Sequence, residues 1–503
     1  MNRVPGVFEI KETDLHGRIG KLHTKSGVIE TPAFLPVIDV YRQEIAPSKV
    51  KEIGFNQVIT NAYLTFKRFG EEAVKKSIHG VIGFDGVVMT DSGAYQMLEY
   101  GDVDVDQETI IKYQVDISTD IGVILDVPTG KTDYDSAKQS VEKTIQRARE
   151  AVELIKDTEQ VWVLPVQGAG YSDLIEESSK HARELSIHYG MLGIGGLTEH
   201  MESYDYLTVI KTIYSAKRLL PGGKPVHLFG AGHPLVIALA AALGVDTFDS
   251  ASYILYARDD RYITEYGVEK LDRLEYFPCN CPVCTRYSPR ELMEMDKRER
   301  TRLLAIHNLH VIRKTIERVK QAIKEGRLWE YLEELSRRHP SAYEALRALK
   351  DKTDLLEPGT PYVKGIVRGL RLYNEESTWR PKIRAYRRKI EAYLQGRKAP
   401  VIVLKPYPPK PEDCPRPSGI DRGVLVLYYT PYLGLVPEEL CGVYPTIHFN
   451  YPERTLPLEV VDDMINYIIK IIKKYYNDSK IVVEDGVGWR SEASRRIRRA
   501  IIL

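Results

Sequence analysis

The 503-residue sequence is first informative for what it lacks. It contains no run of 18 apolar residues, so no conventional membrane-spanning helix and no membrane partner is expected. The opening MNRVPGVFEIKETD has no apolar core of the kind a secretory signal needs, and a cytoplasmic location follows as the expectation. Cysteine is scarce, at five residues. That is too few for a disulfide scaffold and fits a reducing compartment. Net charge nearly vanishes, with 71 Lys and Arg against 70 Asp and Glu for a total of +1. No GxGxxG follows the first apolar run, which argues against a dinucleotide fold, and there is no P-loop. A disordered chain is excluded by the balance of 43% hydrophobic and 28% charged residues, which suits a soluble globular protein of about three domains.

What is present is a rhythm. Across the first 250 residues, apolar β-prone runs recur: AFLPVI (33–38), QVIT (57–60), GVVMT (86–90), IGVILDV (121–127), VWVLPVQ (161–167), MLGIGG (191–196), PVHLFG (225–230) and DTFDS (246–250). Their spacing of about 30 residues is the length of a βα repeat. Amphipathic helical stretches lie between them. The clearest runs from Ser136 to Asp157, with Val141, Ile145, Ala148, Val152 and Ile155 on one stripe, the periodicity of a half-buried helix. Eight strands alternating with helices predict an α/β fold, a (β/α)₈ TIM barrel, with an open doubly wound sheet as the rival.

Chemistry in such a barrel sits at the C-terminal ends of the strands. Polar residues fall there repeatedly: Asp91 after GVVMT, Asp126 after GVIL, Gln167 after VWVLPV, Gly195 and Gly196 after MLGI, and Asp249 after DTF. One such acid could be a helix cap. Three acids and an amide on one face instead suggest a polar pocket that reads hydrogen-bond donors, with carboxylates left for covalent or acid–base work.

Cys279, Cys281 and Cys284 crowd into six residues, and His307 follows after 22 more. Three thiolates and an imidazole make a tetrahedral set suited to Zn²⁺, and four protein ligands leave no open position, so the metal should be structural. His310, one turn further on, is the alternative fourth ligand. The site's position after the eighth repeat suggests a zinc subdomain (272–345) inserted on a catalytic domain of residues 1–345.

A long helical stretch follows, at about 289–350. Neutral total charge conceals a basic region: residues 361–400 hold eleven Lys or Arg against three Glu, +8, leaving −7 for the rest. Tyr362, Tyr373, Trp379, Tyr386 and Tyr393 interleave with these charges. Residues 346–400 are therefore expected to form a helical, basic region, helical over 361–395. Charge with aromatics points to nucleic acid, with Arg384, Arg387 and Arg388 as phosphate contacts. Seven prolines between Pro400 and Pro417 predict a linker or an extended edge segment. Beyond it, GVLVLYY (423–429) reads as a strand, VVDDMINYIIKIIKKYY (460–476) as an amphipathic helix and KIVVED (480–485) as a strand. Residues 401–503 thus predict a small α+β domain.

Taken together, MTDSGAYQ (89–96), LDVPTG (125–130), VQG (166–168), GIGGL (193–197), FGAGHP (229–234), TFDSASY (247–253) and CxCxxC with a downstream HN resemble the tRNA-guanine transglycosylases, in particular the archaeal type, over the first 345 residues. The resemblance implies exchange of a guanine in tRNA for a 7-deazaguanine. In archaeal members this is 7-cyano-7-deazaguanine entering position 15 of the D-arm, on the way to archaeosine. It implies Asp249 as nucleophile and Asp91 as general acid/base. Ser92, Asp126, Gln167 and Gly196, with Gly195, would read the guanine edge, and Tyr95 and Phe229 would sandwich the base. Cys279, Cys281, Cys284 and His307 would hold zinc, in a homodimer built around that region. Archaeal members commonly finish with a PUA domain, a small RNA-binding barrel. No strand-rich module follows residue 485, so that function is expected to be missing or supplied by a separate protein.

The chemistry stands apart from the name. A carboxylate can attack an anomeric carbon and hold a glycosyl intermediate. A second carboxyl can protonate the leaving base and deprotonate the incoming one. The bonds broken and formed are alike, so no ATP is needed. Two rivals are a non-catalytic RNA-binding subunit, which the presence of both Asp91 and Asp249 disfavours, and a metal-dependent hydrolase, for which the first strand lacks an HxH pair.

Overall fold

A computed structural model of the chain describes residues 4–94, 105–130, 133–364, 369–408, 423–446 and 448–502. Two compact units emerge from the internal contacts: residues 1–324 with 334–359, and residues 325–333 with 360–503.

The first unit is built on eight parallel strands: β4 (Ala33–Pro36), β5 (Gln57–Asn61), β6 (Val87–Asp91), β7 (Ile121–Val123), β8 (Val161–Val166), β9 (Met191–Ile194), β10 (Val226–Leu228) and β11 (Thr247–Ser250). All eight coincide with the apolar runs of the sequence. Their order, β4-β11-β10-β9-β8-β7-β6-β5, is sequential, and the ring closes through a parallel bridge from Val37 to Ile59. The expected helix of residues 136–157 spans Tyr134–Ile155, with Asp133 accepting from the Ser136 N–H at its start. Ala151, and not Val152, completes its buried stripe.

Three strands have no counterpart in the sequence reading. β1 (Phe8–Asp14), β2 (Gly17–His23) and β3 (Val28–Thr31) form an antiparallel sheet. Their Leu22 and Ile29 join Val87, Ile121, Val161 and Met191 in one core cluster. Those partners are the first residues of barrel strands, so the sheet plugs the N-terminal mouth with apolar side chains. The C-terminal ends of the strands, with Asp91 closing β6 and Asp249 in β11, open at the opposite mouth.

After the barrel, the hairpin of β12 (Arg261–Ile263) and β13 (Val268–Lys270) leads through the cysteine loop to the 29-residue helix Lys297–Glu325. Asn308 on that helix is fully buried. Its Oδ1 accepts from the Ile263 N–H at 2.9 Å, and its Nδ2 donates to Tyr253 O at 3.0 Å. Those bonds tie helix, hairpin and barrel together.

The second unit holds β14 (Leu370–Arg371), β15 (Val401–Pro406), β16 (Val424–Thr430), β17 (Gly434–Pro437), β18 (Phe449–Asn450) and β19 (Lys480–Val483). Its main sheet runs β17-β16-β15-β19. The proline-rich stretch thus opens on an interior strand: β15 pairs in parallel with both β16 and β19. This corrects the expected linker over 400–406, and it is possible because the prolines stand at or beside the strand ends, where no ladder N–H is needed. The remaining prolines to Pro417 fall largely outside the described residues. The helices Pro381–Gln395 and Leu458–Tyr475 pack Ile383, Tyr386, Ile390, Met464, Ile468 and Ile472 against the sheet in one core. The first starts at Pro381, not near residue 361, because Pro fits the first helical turn. Cys441 is disulfide-bonded, an exception to the cysteine chemistry expected of a reducing compartment. Among the described residues no helix is long and apolar enough to cross a membrane.

Candidate active site

The expected acids do converge on the C-terminal mouth of the barrel. Asp91 is the last residue of β6, Asp126 lies three residues past β7, and Asp249 sits in β11. Asp126 and Asp249 are buried. Burial pushes the Asp91 carboxyl up to about 7, and the charges of Asp126 and Asp249 push in the same direction. Burial also raises Asp126, to about 6, against the pull of its Gln167 hydrogen bond. No Lys or Arg ion pair reaches any of the three among the described residues. A carboxyl that is half protonated near neutrality can give and take a proton in one cycle.

Hydrogen bonds link Asp126, Gln167 and Thr129 in a chain. Gln167 Nε2 donates to Asp126 Oδ2 at 2.5 Å, and Thr129 Oγ1 donates to Gln167 Oε1 at 3.2 Å. The amide is thereby oriented toward the Asp126 carboxyl. Gly195 and Gly196 permit the close approach. A Cβ on Gly195 would lie 2.5 Å from Gln167 Nε2, and one on Gly196 would lie 2.6 Å from Thr129 O. Gly196 also has φ +73°, in the left-handed region that favours glycine. Ser92 is buried, and its Oγ has no protein partner among the described residues. A buried hydroxyl without a partner is costly unless a ligand supplies one. Phe229 follows β10, its ring centroid 4.5 Å from that of His227. Tyr95 lies outside the described residues.

Three residues near the acids are given no role in the transglycosylase reading of the sequence. Thr129 stands in LDVPTG but has no charge to mark it. Asn61 ends β5 opposite Asp91 in register. His227 lies in β10, and its Nε2 is 3.0 Å from Asp249 Oδ1.

The cysteine cluster is equally clear. One donor atom from each of Cys279, Cys281, Cys284 and His307 lies within 4.8 Å of all the others. His307 Nδ1 is 3.5 Å from Cys281 Sγ and 3.3 Å from Cys284 Sγ, close to the edge of ~3.6 Å that Zn–S and Zn–N bonds at a tetrahedral angle would give. Its Nε2 donates to Ile263 O at 2.9 Å, which leaves Nδ1 as the ligand atom. Tyr262 stacks on the imidazole with centroids 3.7 Å apart. The four can bind a metal ion; His310 is not among them.

The basic helix behaves differently from its charge count. Arg387 donates to Tyr432 O at 2.8 Å and to Asp463 Oδ2 at 2.6 Å, with its guanidinium over the Tyr467 ring. It is fastened inside its own unit, unlike the expected phosphate contact. Arg388 is exposed and Arg384 half-buried.

Acids and an oriented amide gathered at the C-terminal ends of eight parallel strands are the arrangement of a (β/α)₈ enzyme. The chain belongs to the queuine tRNA-ribosyltransferase family, whose match covers residues 14–341. It is 52% identical to a tRNA-guanine(15) transglycosylase of Aeropyrum pernix over 470 residues, 93% of this chain and 92% of that protein. A protein of the same description from Sulfolobus acidocaldarius is 44% identical over 474 residues, 93% of each. One from Pyrococcus abyssi is 44% identical over 76% of this chain and 65% of its own length.

Proposed function

We propose that this protein is a tRNA-guanine transglycosylase that replaces guanine 15 of the tRNA D-arm with 7-cyano-7-deazaguanine, a step toward archaeosine. The observation that carries the reading is the meeting of Asp91, Asp126, Gln167 and Asp249 at the C-terminal ends of the barrel strands. The target base leaves its stack, at a cost of about a few kcal/mol. Phe229 and Tyr95 offset part of it by stacking. Asp126 accepts from N1–H and the 2-amino group of guanine, a donor pair adenine lacks. Gln167, Ser92, Gly195 and Gly196 complete the edge.

Asp249 then attacks C1′ of the nucleotide. The C1′–N9 bond breaks, its electron pair leaves with the guanine, and Asp91 supplies the proton. The incoming base gives a proton back to Asp91 and attacks C1′ in turn, releasing Asp249. Two displacements retain the anomeric configuration.

The metal at Cys279, Cys281, Cys284 and His307 is Zn²⁺ in this reading, a structural ion that fixes the hairpin to the long helix. Arg384 and Arg388 contact tRNA in this reading. Replacing Arg384 and Arg388 together should weaken binding and flatten its salt dependence, whereas Arg387→Ala should lower stability. The working form is a homodimer in the cytoplasm, where tRNA is processed.

The test is labelled-guanine incorporation into archaeal tRNA transcripts by the wild type beside Asp249→Ala, with the label then mapped. Incorporation at position 15 by the wild type alone supports the reading. Exchange by Asp249→Ala, or label elsewhere, overturns it. Activity restored only by an archaeal extract would identify a separate protein, such as one with a PUA domain.

A further inference from the structure

We infer that His227 is a positioning residue that selects which oxygen of Asp249 attacks the sugar. The inference rests on the reading of Asp249 as nucleophile. His227 is fully buried in β10. It stands opposite Thr247 in the parallel register with β11, and both ring nitrogens are engaged. Nδ1 lies 2.9 Å from Thr247 Oγ1 and Nε2 lies 3.0 Å from Asp249 Oδ1. A carboxylate oxygen accepts, so Nε2–H is the donor to Oδ1, and the threonine hydroxyl pairs with Nδ1. The backbone N–H of Gly230 donates to the same Oδ1 at 2.9 Å. Gly230 has φ +76°, and a Cβ there would lie 2.6 Å from Thr198 Oγ1, so the loop presents this N–H only as glycine.

Two donors therefore converge on Oδ1, and no hydrogen bond to Oδ2 is made among the described residues. The clamp fixes the plane of the carboxylate and leaves Oδ2 as the attacking atom. An Oδ2 lone pair forms the bond to C1′, the C1′–N9 pair leaves with guanine, and the proton comes from Asp91. In the intermediate Oδ1 is the ester carbonyl oxygen, still facing both donors. When the incoming base attacks C1′, the C1′–Oδ2 pair returns to the carboxylate, and the reappearing charge meets donors already in place. Preorganised donors of this kind act on the transition state more than on substrate binding.

The experiment compares His227→Leu, His227→Gln, Thr247→Val and Asp249→Asn in the full chain. It measures kcat and KM for tRNA, the fraction of enzyme trapped as a covalent tRNA complex on denaturing gels, and the melting temperature. His227→Leu should lower kcat by about 10²-fold at unchanged KM, with the covalent complex accumulating. His227→Gln, which retains an N–H at that reach, should recover much of the loss. Thr247→Val should show the same pattern more weakly, and it serves if His227→Leu does not fold. A wild-type kcat in both His227→Leu and Thr247→Val overturns the proposal, as does a loss in kcat, KM and melting temperature that glutamine does not restore. Exchange by Asp249→Asn would instead overturn the nucleophile reading itself.

Discussion

If one carboxyl serves as acid and then as base, the two halves of the reaction must answer to pH in opposite directions. Asp91 is raised to about 7, first by burial, then by the charges of Asp126 and Asp249. Its protonated fraction is then ~0.9 at pH 6 and ~0.1 at pH 8, whereas an unperturbed aspartate would be ~1% protonated already at pH 6. Departure of guanine needs the proton present. Formation of the covalent complex should therefore slow by about tenfold from pH 6 to pH 8. Capture of that complex by the incoming base needs the proton absent, and should quicken by the same factor. Steady-state exchange should peak near pH 7. The assay is single-turnover rapid quench with enzyme in excess and no free base, followed by double mixing with 7-cyano-7-deazaguanine. Asp126→Asn removes one of the charges that raise Asp91, so the midpoint of the first half should move to lower pH. A first half that is flat or rising from pH 6 to 8 would refute the assignment of Asp91.

Three further outcomes are expected. Asp91→Asn should abolish exchange yet stabilise the fold in alkali. The folded carboxyl titrates above its unfolded counterpart, so its cost is absent below pH about 4 and complete above about 7, at roughly 4 kcal/mol at most. Thermal melts of the two proteins should coincide near pH 4 and diverge by pH 8, and a constant gap would contradict this origin. Gly196→Ala places a methyl 2.6 Å from a backbone oxygen at φ +73°, a strain of about 1–3 kcal/mol. It should lower kcat/KM for the base by roughly tenfold or more while tRNA affinity holds; equal losses in both would show a general folding defect. Elemental analysis should find one zinc per chain. Cys284→Ser should lose it along with folding free energy on the order of 10 kcal/mol, and a metal-free variant with an unchanged melting temperature would refute the structural role.

The barrel was readable because strands buried on both faces are continuous apolar runs, and VWVLPV is fully buried along β8. The plug was not. FEIKETD and GRIGKLH carry charge on alternate or adjacent positions, and only the barrel mouth beneath Leu22 explains their apolar members. The proline stretch misled for a related reason: a proline count marks a break, but it does not say that Pro400 and Pro406 merely bracket a strand. Charge gave the sign of residues 361–400 but not their direction. Arg380 is buried, with Nη1 2.9 Å from Glu330 Oε1 and Nη2 3.0 Å from Gly326 O, and Arg387 is held by Asp463, 76 residues away.

The same limit explains why the acids were legible and their supports were not. Asp91, Asp126 and Asp249 stand out because three acids recur at or near the ends of apolar runs, more than helix capping accounts for. His227 lies 22 residues before Asp249, and its role depends on the register that sets it beside Thr247 and on the left-handed turn that aims the Gly230 N–H. Neither a spacing nor a residue type encodes that meeting. Candidate reacting groups can therefore be picked out in a sequence, whereas the partners of one carboxylate oxygen need the geometry of β10 against β11.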